Sequence, residues 1–183
     1  SSNANDRVLS LREFRAYWKH VQKLEEPHRS VAMMHVLTGG QRMVQLARTK
    51  LEDIDRDSKT LRLEDRKGRR KKPRVFRIPL LPQALDCVET TTQDGPFIFS
   101  ADLGRTPMSD QFVSDIAAKI CDTMAEAGEL EGSSFTGKII RATIETRLMD
   151  KPYRVSSDVL KRLLSHGMGG IQEKHYAIDD FLD

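Results

Sequence analysis

Apolar residues recur at helical spacing over most of the chain. Leu11, Phe14, Trp18, Val21 and Leu24 follow one another at intervals of three or four, and Ser10-Leu11-Arg12-Glu13 is a capping box just ahead of them. This predicts a first helix that stops at Glu25-Glu26-Pro27. A second helix is expected from about Pro27 to Leu37, with Val31, Met34 and Leu37 on one face. Gly39-Gly40 breaks it, and Gln41 to Thr49 reads as a short third helix. Further on, Pro82 opens a helix running to about Thr91. Ser109 caps a long helix whose apolar stripe is Phe112, Ile116, Ile120 and Met124, closed by Ala127-Gly128. Thr136 precedes a helix carrying Ile139, Ile140, Ile144 and Leu148. Ser156-Ser157-Asp158 starts one carrying Val159, Leu160, Leu163 and Leu164. Gly167 to Gly170 breaks the chain before a last short helix that holds Tyr176.

The period changes in one region. Thr60-Leu61-Arg62-Leu63-Glu64 alternates as a strand does, Arg66 to Pro73 makes a turn, and Val75-Phe76-Arg77-Ile78-Pro79 returns as a second strand. Leu51 to Asp57 reads as a connecting segment and Pro96-Phe97-Ile98-Phe99 as a short extended piece. The expected fold class is therefore mainly α with a small antiparallel β-sheet (α+β). One domain is expected over residues 9–183. Residues 1–8, with Ser2-Asn3-Ala4 resembling a tag remnant, are expected to be a disordered start.

Composition narrows the function classes. A chain of 183 residues buries a sizeable core without covalent staples. No apolar run reaches the ~20 residues of a membrane-spanning helix, so no membrane partner is expected. Cys87 and Cys121 fit neither a metal-ligand spacing nor a disulfide framework, which points to a reducing, cytoplasmic setting. Net charge is only +3, but its distribution is uneven. Between Arg62 and Arg77 lie nine basic and two acidic residues, a net +7 against −4 for the remainder. Charge runs are commonly solvated faces. A basic run held between two strands is instead a structured probe for a polyanion. Arg66, Arg69, Arg70, Lys71, Lys72 and Arg74 are the candidate DNA-binding residues.

Four patterns occur in order: Thr38-Gly39-Gly40-Gln41-Arg42, with Gln45 and Leu46 following; the hairpin with Lys67-Gly68, ending in Arg77-Ile78-Pro79-Leu80; Lys138-Ile139-Ile140-Arg141; and Leu163-Leu164-Ser165-His166, with Tyr176 ten positions on. Taken singly, each has an ordinary structural reading. Arg42 reads as a surface arginine, His166 as a partner of a helix C-terminus and Tyr176 as a packing tyrosine. Arg141, among apolar neighbours, asks for an anion.

In this order, from about Leu9 to Asp183, the patterns resemble the catalytic domain of the tyrosine recombinases, the phage-integrase family. The resemblance implies a site-specific recombinase or integrase that breaks and rejoins DNA through a 3′-phosphotyrosyl intermediate, with no metal and no other cofactor. Its catalytic residues would be Arg42, Lys67, Lys138, Arg141, His166 and the nucleophile Tyr176. Lys138 stands where the family more often has histidine, and Gln45 where it usually has an acidic residue. Lys71 and Lys72 are alternatives to Lys67 as the acid. The partner implied is double-stranded DNA, with a homo-tetramer assembled on it and a monomer for the isolated domain. The DNA-binding domain that usually precedes this one in the family is expected to be absent from this chain. A type IB topoisomerase-like enzyme and a non-catalytic DNA-binding module of the same fold are the alternative readings.

Overall fold

The computed structural model describes residues 7–66, 71–89 and 94–149. Helix α1 spans Leu11–Gln22, and Ser10 closes the expected capping box with Glu13. Its buried face is Glu13, Phe14, Tyr17 and Val21. Leu11 is 41% exposed, and Trp18 and Leu24 are only partly covered, so the face is rotated from the one the leucines suggest. The reason is the first turn: Arg7 donates twice to Glu13, at 2.9 Å each, and lets a carboxylate occupy the buried side. That carboxylate also accepts from the Glu131 N–H at 3.2 Å. Arg7 itself donates to the Ser133 carbonyl. The start of α1 is thus tied to the loop that leads into the last described helix.

Helix α2 (His28–Leu37) is the central element. It packs against α1 and against all four helices that follow, and is buried on most sides. Helix α3 (Met43–Ala47) is shorter than the sequence suggests, because Arg42 has extended backbone and serves as its N-cap. The stretch read as a connector holds a 3₁₀ turn at Leu51–Asp53 and strand β1 (Ile54–Asp55). Two residues leave no alternation to read. β1 pairs with β2 (Thr60–Asp65), which pairs antiparallel with β3 (Arg74–Pro79) from Thr60↔Pro79 to Asp65↔Arg74. Leu61, Leu63, Phe76 and Ile78 point into the core from one face.

Helix α4 (Pro82–Glu89) lies on α2. The extended piece is pinned by an isolated Lys50↔Phe97 bridge and by Ile98 N–H donating to Thr49 O. In α5 (Asp110–Glu126), Ser109 caps as expected, but Phe112 is 56% exposed and Val113 begins the buried stripe. Helix α6 (Gly137–Met149) buries Ile139, Ile140, Thr143 and Ile144. Thr143 Oγ1 accepts from Leu9 N–H, and Arg147 donates to Leu9 O, so the segment before α1 clamps α6. Among the described residues the architecture is the expected one: six α-helices and a small antiparallel sheet. The helices expected beyond residue 150 lie outside the described residues.

Candidate active site

The turn between α2 and α3 presents the first arginine. Thr38 N–H and Oγ1 both donate to Met34 O, and Gly40 N–H donates to His35 O at 2.8 Å. Gly39 and Gly40 take φ of +77° and +91°, a region side chains rarely enter. The chain therefore reverses sharply, and Arg42 emerges at the head of α3. His35, buried in α2, bonds through Nδ1 to the Gln41 carbonyl and braces the turn from beneath.

Helix α6 presents the second arginine beside the first. Arg42, Lys138 and Arg141 line one cleft of about 610 Å³, together with His35, Val113 and Glu145. Lys138 is exposed at the first turn of α6, whereas the side chains of Arg42 and Arg141 are 34% and 22% exposed. Arg141 donates from Nε to Glu145 Oε1 at 3.3 Å, and Arg42 lies 3.9 Å from Asp65 Oδ1 at the end of β2. Burial pushes the Arg141 guanidinium below its usual pKa; Arg42 adds to the effect and Glu145 opposes it. Two half-covered cations facing one cleft are the arrangement that an oxyanion held from both sides satisfies.

Three of the expected catalytic residues, Arg42, Lys138 and Arg141, are thus brought together. Lys67, His166 and Tyr176 lie outside the described residues, as do Arg69 and Arg70. Of the remaining expected DNA-binding residues, Lys71 and Lys72 are exposed beyond the hairpin turn, and Arg74 is half-buried at the start of β3. Arg66 is exposed but paired with Glu64 at 3.1 Å. Gln45 is buried in α3, and the acid beside Arg42 comes from β2 as Asp65. Neither Asp65 nor Glu145 stood out in the sequence. Glu145 follows Arg141 at the ion-pair spacing of a helix, a signal that was there to be read. The approach of Asp65 depends on how β2 lies against α3.

No family model matches the sequence, and no curated protein matches it. Solved structures do. The integrase of transposon Tn1549, in a structure with a circular intermediate DNA, is 15% identical with a TM-score of 0.67, over 93% of this chain and 60% of that one. Lambda integrase (75–356), in a dimer bound to a COC′ core site, is 21% identical with a TM-score of 0.65, over 92% and 60%. XerA recombinase is 15% identical with a TM-score of 0.63, over 98% and 64%. The fold is that of the tyrosine recombinases. The chain spans about 60% of the length of the two integrase chains, so it compares with part of each.

Proposed function

We propose that this chain is the catalytic part of a tyrosine recombinase, a DNA strand-transferase acting on duplex DNA. The observation that supports it most is the convergence of Arg42, Arg141 and Lys138 on one cleft within a tyrosine recombinase fold. The chemistry follows from what phosphodiester cleavage demands. The transition state gathers negative charge on the non-bridging oxygens. Arg42 and Arg141 clamp those oxygens with planar, permanently charged forks. His166 donates a further hydrogen bond to them, and Lys138 adds charge beside the attacking group.

Tyr176 is the nucleophile. Its hydroxyl gives up a proton to solvent water as Oη bonds to phosphorus, and nearby cations favour the phenolate. The bond from phosphorus to the 5′ oxygen breaks, and Lys67 delivers the proton that this oxygen needs. The product is a 3′-phosphotyrosyl link and a free 5′ hydroxyl. The phosphoester is conserved, so the reverse attack by a 5′ hydroxyl rejoins a strand without a nucleotide cofactor. The basic hairpin holds the duplex by its phosphates, and exchange between two duplexes proceeds in a homo-tetramer on the DNA.

The test is covalent trapping. The full chain is incubated with supercoiled plasmid and quenched with detergent, beside Tyr176→Phe. A protein–DNA adduct that needs Tyr176 is expected. An adduct that survives Tyr176→Phe would remove the nucleophile assignment. Tight, salt-sensitive duplex binding with no adduct from the full-length protein on its own junction would leave a DNA-binding module. Replacing the bridging 5′ oxygen by sulfur is expected to rescue Lys67→Ala, since a thiolate leaves without a proton; no rescue would exclude Lys67 as the acid.

A further inference from the structure

Glu145 shares the cleft with both arginines. Its carboxylate accepts from Arg141 Nε at 3.3 Å, and its side chain is 33% exposed, facing the same space as Arg42 and Lys138. The approach is side-on. It engages Nε, so the two terminal nitrogens of the guanidinium remain the ones suited to a bidentate phosphate. Asp65 is the second carboxylate, 3.9 Å from Arg42. The cleft is thus lined by three cations and one carboxylate, Glu145, while Asp65 pairs with Arg42 from outside the lining; both carboxylates belong to the protein rather than to a ligand. An anion entering meets their field at short range, where water only partly screens it.

We propose that Glu145 is the residue that sets the phosphate affinity of the arginine clamp, acting as a resident counter-ion that an incoming phosphate must out-compete. Empty, the clamp is kept from mutual repulsion between its arginines and from binding stray anions. Occupied, it holds phosphate more weakly than its arginines alone would. A weaker hold suits a site that must release the strand after each transfer. The role of Glu145 rests on the clamp reading of Arg42 and Arg141, and its effect on anion affinity can be measured without any strand cleavage.

The experiment uses inorganic phosphate as the probe and the full chain, by phosphorus NMR line-broadening titration. Glu145→Gln is expected to bind phosphate roughly three- to tenfold more tightly than the parent. Glu145→Ala is expected to do the same, because the gain comes from losing the charge and not from the new side chain. In Arg141→Gln the same Glu145→Gln change should give a clearly smaller gain, since the cation it neutralises has gone. Equal or weaker phosphate affinity in Glu145→Gln, with its urea midpoint matching the parent's, would reduce the pairing to an ordinary helix-surface ion pair and overturn the proposal. The recombinase reading is judged separately, by the Tyr176-dependent adduct. A chain with tighter phosphate binding but no adduct would retain Glu145's role and lose the enzyme.

Discussion

Gly40 packs directly against Arg141. A methyl group at residue 40 would lie 3.0 Å from Arg141 Cγ and 3.1 Å from its Cα. The α2–α3 turn and α6 can therefore approach closely only because residue 40 has no side chain, and that approach sets the two arginines side by side. Its φ of +91° asks for glycine independently.

Gly40→Ala is therefore expected to do two kinds of harm. Backbone strain and the overlap with an α6 backbone atom should together cost about 2–4 kcal/mol in urea unfolding. The fraction that stays folded should bind duplex DNA less tightly, because α6 must shift and carry Arg141 and Lys138 with it. A loss below about 0.5 kcal/mol would mean that the turn accommodates a side chain. Gly128, with positive φ but nothing within 4 Å, is the control: alanine there should cost only the backbone strain.

Arg141→Lys and Arg42→Lys keep the charge and lose the fork. Each is expected to slow adduct formation about 100-fold or more. Duplex affinity should change much less, since lysine still pairs with a phosphate as a point charge. Folding should hold or weaken slightly at position 141, because an ammonium is more strongly hydrated than a guanidinium and the Nε bond to Glu145 is lost. Cleavage within about threefold of the parent would show that the two forks do not grip the reacting phosphate.

Acid should destabilise this protein in two steps. Burial lowers the His35 pKa to about 4, with Arg141 adding to it, against the carbonyls of Gln41 and Gly137. In the unfolded chain His35 titrates near 6.5, so between those values the unfolded state binds more protons. Its stabilising contribution is complete above 6.5 and is lost as pH falls toward 4. Burial would raise Glu13, but hydrogen bonds from Arg7 and from the Ser10 and Glu131 N–H groups hold it at about 2. Its contribution disappears between 4.5 and 2. Each step is worth at most about 3 kcal/mol. Urea midpoints at about pH 7.5, 5 and 3.5 should fall across both intervals. His35→Gln should flatten the upper interval and Glu13→Gln the lower; an unchanged profile in either variant would remove that residue from the account.

Much of this is legible in the sequence, because periodicity reports elements well. The hairpin register follows from the alternation of Leu61 and Leu63 against Phe76 and Ile78. Which side of a helix is buried proved less readable. Leu11 and Phe112 are apolar yet exposed, while Glu13 is charged and buried, because pairing with Arg7 removes the penalty for burying it. β1 went unseen because two residues carry no period. The order of Thr38–Arg42, Lys138 and Arg141 marked three residues that do share a cleft. The bracing around them did not show. His35 reaches a backbone carbonyl, and Asp65 meets Arg42 only once β2 lies against α3. Such pairings are made by tertiary placement, and no local spacing encodes them.

The basic hairpin is expected to govern affinity and not the choice of sequence. Lys71 and Lys72 are exposed and Arg74 begins β3, where a groove-lying hairpin would meet phosphates. Pairings of that kind fix position and carry no sequence information. Neutralising all three to glutamine should weaken binding to every duplex by a similar factor. It should also lower the slope of log affinity against log salt by roughly 0.9 for each phosphate that the hairpin no longer neutralises. Arg66 is expected to behave differently. Glu64, 3.1 Å away, already offsets its charge, and also pairs with Arg62 at 2.9 Å. Arg66→Gln alone should therefore move the slope little, whereas Glu64→Gln should steepen it by releasing Arg66 toward the DNA, Arg62 keeping Asp53 at 3.5 Å. Anisotropy titrations over a salt series with two unrelated duplexes separate these outcomes. Weakening confined to one duplex would assign the hairpin to base reading, and a slope unchanged in the triple variant would take it out of the interface.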